Sequence, residues 1–352
     1  MAKGYRIELS YTKKGTPKYY LVKEIKIGKR NVRARKYLTS GSPPSQKELE
    51  LAEGNGIIDL ELKLADKAAK ASSERYSANY LSREQIEGIE RLRYLYKSFT
   101  NLLTANELQK YEEEFEINYI QGTTSIEGNT LTVKEAYDLL INDIPPEGKT
   151  LREINEVQNF KRMVEYRDRY NKRIDINFIK DVHAIIMNNI DAESAGVFRR
   201  SDMIGIMGCD LRVTPYVEIE NDLESLIKTY YNNLNKGNHP FEEAVIFHYN
   251  FELIHPFMDG NGRVGRELFN YLLMKSRPPY PKLLFLGKDR AKYIQALKFG
   301  NDNNYAMMIS FFEELIVNQR LGVFERNIEK LLKTPPMKRQ MRLSDFIDIE
   351  TP

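Results

Sequence analysis

Residues 255–266 read His-Pro-Phe-Met-Asp-Gly-Asn-Gly-Arg-Val-Gly-Arg and lie between two segments with helical periodicity. The apolar side chains of residues 240–254 recur every three or four positions, which predicts a helix. Pro256 cannot continue that helix and disfavours helical geometry in the residue before it, so we expect the helix to end at His255. Helical spacing resumes in residues 262–276. The stretch therefore predicts two helices joined by a tight loop.

The second helix of this pair begins in a setting suited to phosphate groups. A helix N-terminus carries free backbone N–H groups and the positive end of the helix dipole. Gly260 and Gly262 allow the backbone to approach a ligand closely, and Asn261 adds a neutral donor. Arg263 and Arg266 are three residues apart, so they share one helix face and can hold two anionic groups together. These residues predict a phosphate-binding cradle.

Two further side chains of the loop bring reactive chemistry. Asp259 supplies a hard oxygen ligand of the kind that Mg²⁺ uses when it bridges phosphates. His255 can act as a general base near neutral pH. Taken singly, each residue has an ordinary structural explanation, as a turn residue or a helix cap. The whole set favours phosphoryl or nucleotidyl transfer, although the chain contains no G-x-x-x-x-G-K-[ST] phosphate loop.

The stretch resembles the signature of Fic-domain proteins, His-Pro-Phe-x-(Asp/Glu)-Gly-Asn-Gly-Arg-x-x-Arg, and matches every specified position. The resemblance extends over residues 118–320. Most Fic proteins are adenylyltransferases that move AMP from ATP to a Ser, Thr or Tyr hydroxyl of a protein and release pyrophosphate. The resemblance implies that His255 deprotonates the hydroxyl and that Asp259 holds Mg²⁺ or Mn²⁺ on the phosphates. The implied nucleotide-binding residues of the loop are Asp259, Gly260, Asn261, Gly262, Arg263, Val264, Gly265 and Arg266, with the two arginines on the β- and γ-phosphates.

A second motif lies upstream, at residues 123–128, Thr-Thr-Ser-Ile-Glu-Gly. It resembles the inhibitory motif of the same family, (Ser/Thr)-x-x-x-Glu-(Gly/Asn). The resemblance implies that Glu127 pairs with Arg266 and blocks the place of the γ-phosphate, which makes the enzyme autoinhibited. In some relatives the same glutamate positions a water that removes AMP, so a de-AMPylase is the alternative reaction.

Other correspondences are weaker. Residues 196–218 resemble the β-hairpin flap that aligns a target over the histidine, with Ile206 to Leu211 nearest the nucleotide. Tyr293 and Asn301 correspond to adenine contacts, for which ordinary helix packing and capping is an equal explanation. His248 lies on the same helix face as His255, and we interpret it as a packing residue.

The N-terminus has a different character. Residues 5–11 alternate apolar and polar side chains, which predicts a strand, and residues 19–27 and 32–38 are interpreted as a second and a third strand. Residues 1–36 contain twelve basic and two acidic side chains, a net charge of +10, whereas the rest of the chain carries −7. Such a segment is a small sheet with lysine-protected edges, or a module for an anionic partner. A regulatory binding module that contacts nucleic acid or an acidic protein is therefore a third hypothesis.

Between these regions, helix signals dominate. Capping boxes are expected at Ser82, Thr104 and Thr132. Helices are predicted at 151–170, 175–190, 219–235, 240–254, 262–276, 289–300 and 305–333. The predicted organisation is a basic antiparallel β module (1–42), a helical region (43–117), a Fic core (118–333) with the inhibitory motif, and a tail (334–352). The fold class is mainly α, a Fic-type helical bundle with a short β-hairpin flap and a small N-terminal β module.

Composition sets further limits. The 352 residues include one cysteine (Cys209) and four histidines, which excludes a disulfide framework and a cysteine-based zinc cluster. No apolar run approaches the roughly 20 residues of a membrane span, and the N-terminus lacks the apolar core of a signal peptide. We therefore expect a cytoplasmic protein without membrane contact. The expected partners are ATP and a target protein with an exposed hydroxyl, and the resemblance is compatible with a homodimer.

Overall fold

The structure is a computed structural model that describes residues 4–51, 56–203, 213–302 and 304–334. Three strands open the chain: β1 (Tyr5–Tyr11), β2 (Pro17–Ile27) and β3 (Arg30–Ser40). They form one antiparallel sheet in the order β1-β2-β3. The predicted N-terminal sheet is confirmed, and its third strand is longer than the alternation at residues 32–38 indicates.

The rest of the described chain is helical. The helices are α1 (Gln46–Leu51), α2 (Ile57–Ser73), α3 (Arg83–Leu102), α4 (Ala105–Ile126), α5 (Val133–Ile141), α6 (Leu151–Arg169), α7 (Ile176–Ile186), α8 (Ile219–Lys236), α9 (Pro240–Ile254), α10 (Asn261–Lys275), α11 (Arg290–Asn301) and α12 (Tyr305–Lys333). Two short 3₁₀ helices occupy Tyr216–Glu218 and Gly287–Asp289. The mainly helical fold class is confirmed.

Capping chemistry fixes where several of these helices start. Complete capping boxes form at Ser82, Thr104 and Thr132, as the sequence predicts, and a fourth forms at Thr150. In each box the hydroxyl accepts a hydrogen bond from the backbone N–H three residues later. The Glu or Gln side chain at that later position accepts one from the backbone N–H of the Ser or Thr. The prediction for residues 175–190 was too long, because Ile186 ends α7 and the chain turns there.

The sheet is not an independent unit. Its inner face places Leu21, Val32 and Ala34 against Ile57, Leu60 and Leu64 of α2. Glu61 of α2 is fully buried and accepts hydrogen bonds from Tyr5 Oη, Lys23 Nζ and Ser98 Oγ, each at 2.5 Å. A sheet of this size needs such packing to be stable. The buried carboxylate therefore links the sheet to α2 and α3.

The loop at residues 255–260 is held within the main helical core. It joins α9 to α10, and α10 packs against α4, α7 and α9. Phe257 in the loop has no exposed surface, and neither does Leu268 of α10. Close packing of this kind leaves the loop little freedom to rearrange.

The predicted hairpin flap lies only partly within the described residues. The described segments 196–203 and 213–218 contain no strand, and Tyr216–Glu218 forms a 3₁₀ turn. Residues 206–211, expected nearest the nucleotide, lie outside the described residues, as do residues 335–352 of the expected tail. Among the described helices, none combines the length and apolar character needed to cross a bilayer.

Candidate active site

His255 occupies a strained position directly after α9. Its φ of 48° and ψ of 61° lie in the left-handed region, which non-glycine residues rarely adopt. Its backbone N–H still donates to the Phe251 carbonyl at 3.0 Å. Its Nδ1 lies 3.3 Å from the Glu252 carbonyl oxygen, which can only accept. The proton of a neutral ring therefore belongs on Nδ1, and Nε2 carries the lone pair, with no hydrogen-bond partner among the described residues.

The ionisation of His255 suits a base. Burial lowers the pKa of its imidazole below the ordinary value, against the opposing effect of the Glu252 carbonyl, and the Arg199 guanidinium lowers it further. The ring is therefore neutral at pH 7 and able to accept a proton.

Arg199 holds the backbone around His255. Its fully buried guanidinium donates from Nε to the His255 carbonyl at 2.8 Å and from Nη2 to the Ile254 carbonyl at 3.2 Å. Further bonds reach the Ser201 carbonyl at 2.9 Å and the Thr214 carbonyl. This arginine ties the C-terminus of α9 to both described ends of the flap segment. Sequence reasoning missed it, because nothing local to Arg199 indicates a partner more than 50 residues away.

His183 of α7 supports the loop from the other side. Its ring stacks on Phe257, with centroids 3.6 Å apart and planes at 2°. The Gly196 N–H donates to Nδ1 at 2.9 Å, so Nε2 carries the proton and donates to the Asp259 carbonyl at 3.0 Å. Burial lowers the pKa of His183 to about 4. This neutral histidine positions the loop, and no motif around His183 predicts that role.

The loop also braces itself. Asn261 accepts from the Phe257 N–H at 2.9 Å and donates to the Phe257 carbonyl at 2.8 Å. Gly260 adopts a φ of 80°, and a Cβ there would meet the Met187 sulfur at 3.2 Å. The Asn261 side chain thus closes the loop, and its predicted contact with a nucleotide remains a prediction.

Asp259 and Arg263 belong to a network of four charges at the N-terminus of α10. Arg263 donates to Asp259 at 3.0 Å and to Glu156 at 3.2 Å, while Arg152 donates to Asp259 at 2.7 Å. Burial alone would raise the pKa of Asp259, but Arg263 and Arg152 outweigh it and hold that pKa below its usual range. The Asp259 side chain is 46% exposed, so it is a charged carboxylate open to a ligand.

Arg266 makes a separate pair. Its buried guanidinium donates to Thr123 Oγ1 and to the Thr123 carbonyl, each at 2.9 Å, and to Glu127 Oε1 at 2.7 Å. Burial would raise the pKa of Glu127, but Arg266 outweighs it and keeps the carboxylate charged. The predicted contact between Glu127 and Arg266 is confirmed.

Val264 and Gly265 face the core. Val264 has no exposed surface, and its N–H donates to the Gly260 carbonyl at 3.0 Å. A Cβ at Gly265 would lie 2.4 Å from Glu252 Oε1. Both residues let α10 pack closely, and their nucleotide contacts remain predictions.

The two expected adenine residues lie close to this centre. Tyr293 has its hydroxyl 2.8 Å from His248 Nε2, and its ring centroid lies 5.8 Å from the guanidinium carbon of Arg266. Asn301 accepts from the Tyr249 hydroxyl at 2.9 Å. Burial lowers the pKa of His248 to about 3, in keeping with its interpretation as a packing residue.

Glu252 is a residue that sequence reasoning missed altogether. It lies on α9 three residues before His255, is 8% exposed, and its Oε1 has no hydrogen-bond partner among the described residues. Burial raises the pKa of its carboxyl to about 8, although Arg266 opposes the shift. Burial therefore favours the neutral form of this acid at pH values where an exposed glutamate is charged.

Over part of its length the chain is similar to Fic-domain proteins. Residues 173–273, which include the loop, match the family described as Fic/DOC. Among solved structures, a Fic domain-containing signaling protein from Bacteroides thetaiotaomicron superposes with a TM-score of 0.61 at 21% identity, covering 68% of this chain and 98% of that one. Fic-1 from C. elegans gives 0.59 at 21% identity, over 82% and 89% of the two chains. Both likenesses concern the fold.

Curated relatives are named protein adenylyltransferase Fic. The chain is 27% identical to the Drosophila ananassae protein over 279 residues, which is 77% of this chain and 54% of the relative. It is 28% identical to the Aedes aegypti protein over 278 residues, 77% and 53% of the two chains. The chain thus spans about half the length of these relatives.

Proposed function

We propose that this chain is an autoinhibited protein adenylyltransferase, which moves AMP from ATP to a Ser, Thr or Tyr hydroxyl of a target protein. The names of the curated relatives support this reaction. One observation carries it: the N-terminus of α10 brings together a neutral imidazole, two arginines and a half-exposed carboxylate. These are the groups that an attacking hydroxyl and a polyphosphate need: an acceptor for the hydroxyl proton, cations for the phosphates and a carboxylate.

His255 acts as the base of this reaction. The hydroxyl oxygen of the target forms a bond to the α-phosphorus while its proton passes to the free Nε2 of His255. The bond from the α-phosphorus to the oxygen that bridges the β-phosphorus breaks, and pyrophosphate leaves with that electron pair. The strained backbone of His255, held by Arg199, keeps the ring in place before the substrate arrives.

The phosphates bind where positive potential is already arranged. The backbone at residues 260–262 ends in the N-terminus of α10, which attracts anions. Arg263 and Arg266 point their guanidinium groups to this end and are fixed by Glu156 and Thr123. Preorganised donors of this kind stabilise the charge that develops on a leaving pyrophosphate.

A divalent cation fits the residues present. Mg²⁺ commonly binds through one or two carboxylates and completes its shell with substrate phosphates and water. Asp259 offers one exposed carboxylate, and among the described residues no group of three or more His, Cys, Asp or Glu could hold a metal by itself. Asp259 would hold Mg²⁺ or Mn²⁺, which supplies charge neutralisation on the phosphates. To do so, its Oδ2 must release Arg152.

Glu127 restrains this site. It occupies one Nη atom of Arg266, and a γ-phosphate on that arginine would have to displace it. Two like charges cannot share the guanidinium at this distance without strong repulsion. The carboxylate therefore keeps ATP from its productive position until the last turn of α4 moves.

Intact-mass spectrometry tests the proposal. The Glu127→Gly protein, incubated with ATP and Mg²⁺ in the presence of cell extract, should gain the mass of AMP on itself or on a target, about a hundredfold faster than wild type. His255→Ala in the same background should abolish the gain. Glu113→Gly, an exposed glutamate on the same helix, should stay at the wild-type rate. If Glu127→Gly labels no protein at all, the proposed reaction is wrong.

A further inference from the structure

The sheet has a second face, directed away from α2, which we call the outer face. By strand register it carries the side chains that alternate with Leu21, Val32 and Ala34. They are Arg6 and Glu8 of β1, Lys18, Tyr20, Val22, Glu24 and Lys26 of β2, and Asn31, Arg33, Arg35 and Tyr37 of β3. Five of these eleven side chains are basic and two are acidic, so the outer face is positively charged.

Both acids of the outer face are already neutralised. Arg6 pairs with Glu24 at 3.1 Å, and Arg33 reaches across β2 to Glu8. Val22 lies between these pairs and has no exposed surface. These ion pairs and the buried Val22 stabilise the face. Both acids are used in them, so the other cations of the face have no acidic partner on it.

Those remaining cations are Lys18, Lys26 and Arg35. Within the described residues, none of the three pairs with a carboxylate, and Lys26 and Arg35 are exposed. Lys13 and Lys14 in the β1–β2 turn and Lys29 in the β2–β3 turn are likewise exposed without such a partner in the described chain. They add positive charge at the two ends of the sheet.

The inner face of the sheet differs from the outer face, because its basic side chains are paired with carboxylates. There the basic side chains each meet a carboxylate of α2 or its C-cap: Lys23 meets Glu61 and Lys36 meets Asp59, while Arg30 meets Glu74. Packing onto α2 explains those cations. It does not explain the outward ones, which are therefore available to another molecule.

Arg35 is also oriented. Its guanidinium lies 4.8 Å above the ring of Tyr20, and the Tyr20 ring meets Tyr37 edge-on, with centroids 5.8 Å apart. Stacking of this kind fixes the planar group and reduces the entropy lost on binding. Tyr37 is 49% exposed, with its hydroxyl available as a further polar contact. The centre of the outer face thus presents an arginine held in one orientation.

We propose that the outer face binds double-stranded DNA. β2 has eleven residues, so the charged face runs for roughly 35 Å, with cations at the centre and at both ends. Duplex DNA carries a phosphate charge about every 1.7 Å along its axis and can engage all of them at once. Its major groove also admits β-strands, as the deep, narrow groove of double-stranded RNA does not.

Other anionic partners fit less well. Tyr20 is covered by Arg35 and Tyr37, so it offers no open ring, and Tyr37 alone does not provide the row of rings on which successive single-stranded bases stack. An acidic protein would present discrete carboxylates. The cations are spread over both turns and the outer face, and a continuous anion matches that distribution better. Together with the proposed transferase activity, on which this consequence rests, the face would restrict modification to proteins near DNA.

The test is a binding measurement that does not involve ATP. Fluorescence anisotropy of a labelled 20-base-pair duplex with the full chain should give a dissociation constant that rises steeply with salt. The Lys18→Ala/Lys26→Ala/Arg35→Ala protein should bind at least roughly tenfold more weakly, with the log–log salt slope reduced by about three, one per lost phosphate contact. Lys134→Ala/Lys228→Ala/Lys236→Ala removes the same charge from exposed lysines on α5 and α8 that have no carboxylate partner in the described part of the chain, and it should bind as wild type does.

Three results would overturn the proposal. The first is no binding of duplex at 50 mM salt. The second is an equal loss of affinity in the two triple variants, which would mean that net charge alone determines binding. The third is polyglutamate binding as tight as duplex, which would favour an acidic protein. Circular dichroism of both variants establishes that the sheet is folded, and adenylylation by either variant is irrelevant to the readout.

Discussion

Glu127 and Glu252 both act on the buried guanidinium of Arg266, yet their pKa values are shifted in opposite directions. Glu127 receives a direct hydrogen bond at 2.7 Å and is held charged, whereas Glu252 has an unpartnered oxygen and a pKa raised to about 8. Each also touches a glycine of α10, Gly262 and Gly265 respectively. The comparison teaches that a cation opposes the effect of burial on an acid more strongly when it also donates a hydrogen bond to it.

The largest expected effect concerns Glu252. Its pKa is about 8 in the folded chain against an ordinary 4.5, so its contribution to stability is complete below pH 4.5 and is lost as the pH rises towards 8. Glu252→Gln should remove this loss, which we place at roughly 2–4 kcal/mol between pH 5 and pH 8. Urea unfolding at both values measures it.

The titration of other groups cancels in that comparison. His183 and His255, whose pKa values are lowered, lose stability as the pH falls, in both proteins alike. Glu113→Gln, on the exposed side of α4, provides the control and should follow wild type. Identical pH dependence in wild type and Glu252→Gln would mean that Glu252 is charged in the folded protein.

The next largest effect is the loss of unfolding free energy on substitution of the two glycines, which should be greater at Gly265 than at Gly262. At Gly265 a Cβ would lie 2.4 Å from Glu252 Oε1 and 3.1 Å from both His248 and Phe251, all of them buried. We expect Gly265→Ala to cost about 1–3 kcal/mol of unfolding free energy. At Gly262 a Cβ would meet the ends of two long side chains, Glu127 Oε1 at 2.7 Å and Arg266 Nη1 at 2.9 Å. Glu127 is 37% exposed and can turn outwards, so Gly262→Ala should cost less. Equal losses in thermal unfolding would contradict the comparison.

A tenfold effect is expected from removing only the charge of Glu127. Glu127→Gln keeps the length of the side chain and a hydrogen bond to Arg266, but it no longer repels a phosphate. Its rate of AMP incorporation should rise by about tenfold, which is about 1.4 kcal/mol and less than for glycine. A rate equal to wild type would show that bulk, and not charge, restrains the site.

The smallest expected effect is the loss of stability at low pH when Glu127 becomes protonated. The pKa of Glu127 is held down in the folded chain, so its contribution to stability is present above pH 4.5 and is lost as the pH falls through the folded value. Because its side chain is 37% exposed, solvent screening limits this to about 1 kcal/mol or less. Unfolding of Glu127→Gln at pH 7 and pH 3 should therefore show a flatter pH dependence than wild type.

Local signals predicted most of the fold. The capping boxes located the starts of α3, α4 and α5, and helical periodicity located both ends of α9 and α12, because both signals depend on neighbours in the chain. The contact of Glu127 with Arg266 came from family resemblance, since 139 residues separate the partners. Arg152, His183, Arg199 and Glu252 had no such signal, because their partners or their burial arise only when distant helices meet. The cytoplasmic location and the homodimer remain predictions.

Glu127 is the C-cap residue of α4, and this position determines how the proposed restraint could be lifted. The bonds beside it, from the N–H groups of Glu127 and Gly128 to the carbonyls of Thr124 and Ser125, measure 3.0 and 3.1 Å and belong to the end of a helix, where fraying is cheap. Freeing the carboxylate needs only this last turn to open, while the remaining five turns stay docked. The enzyme's activity would then follow a local breathing motion, whose frequency hydrogen exchange at these two amides reports directly.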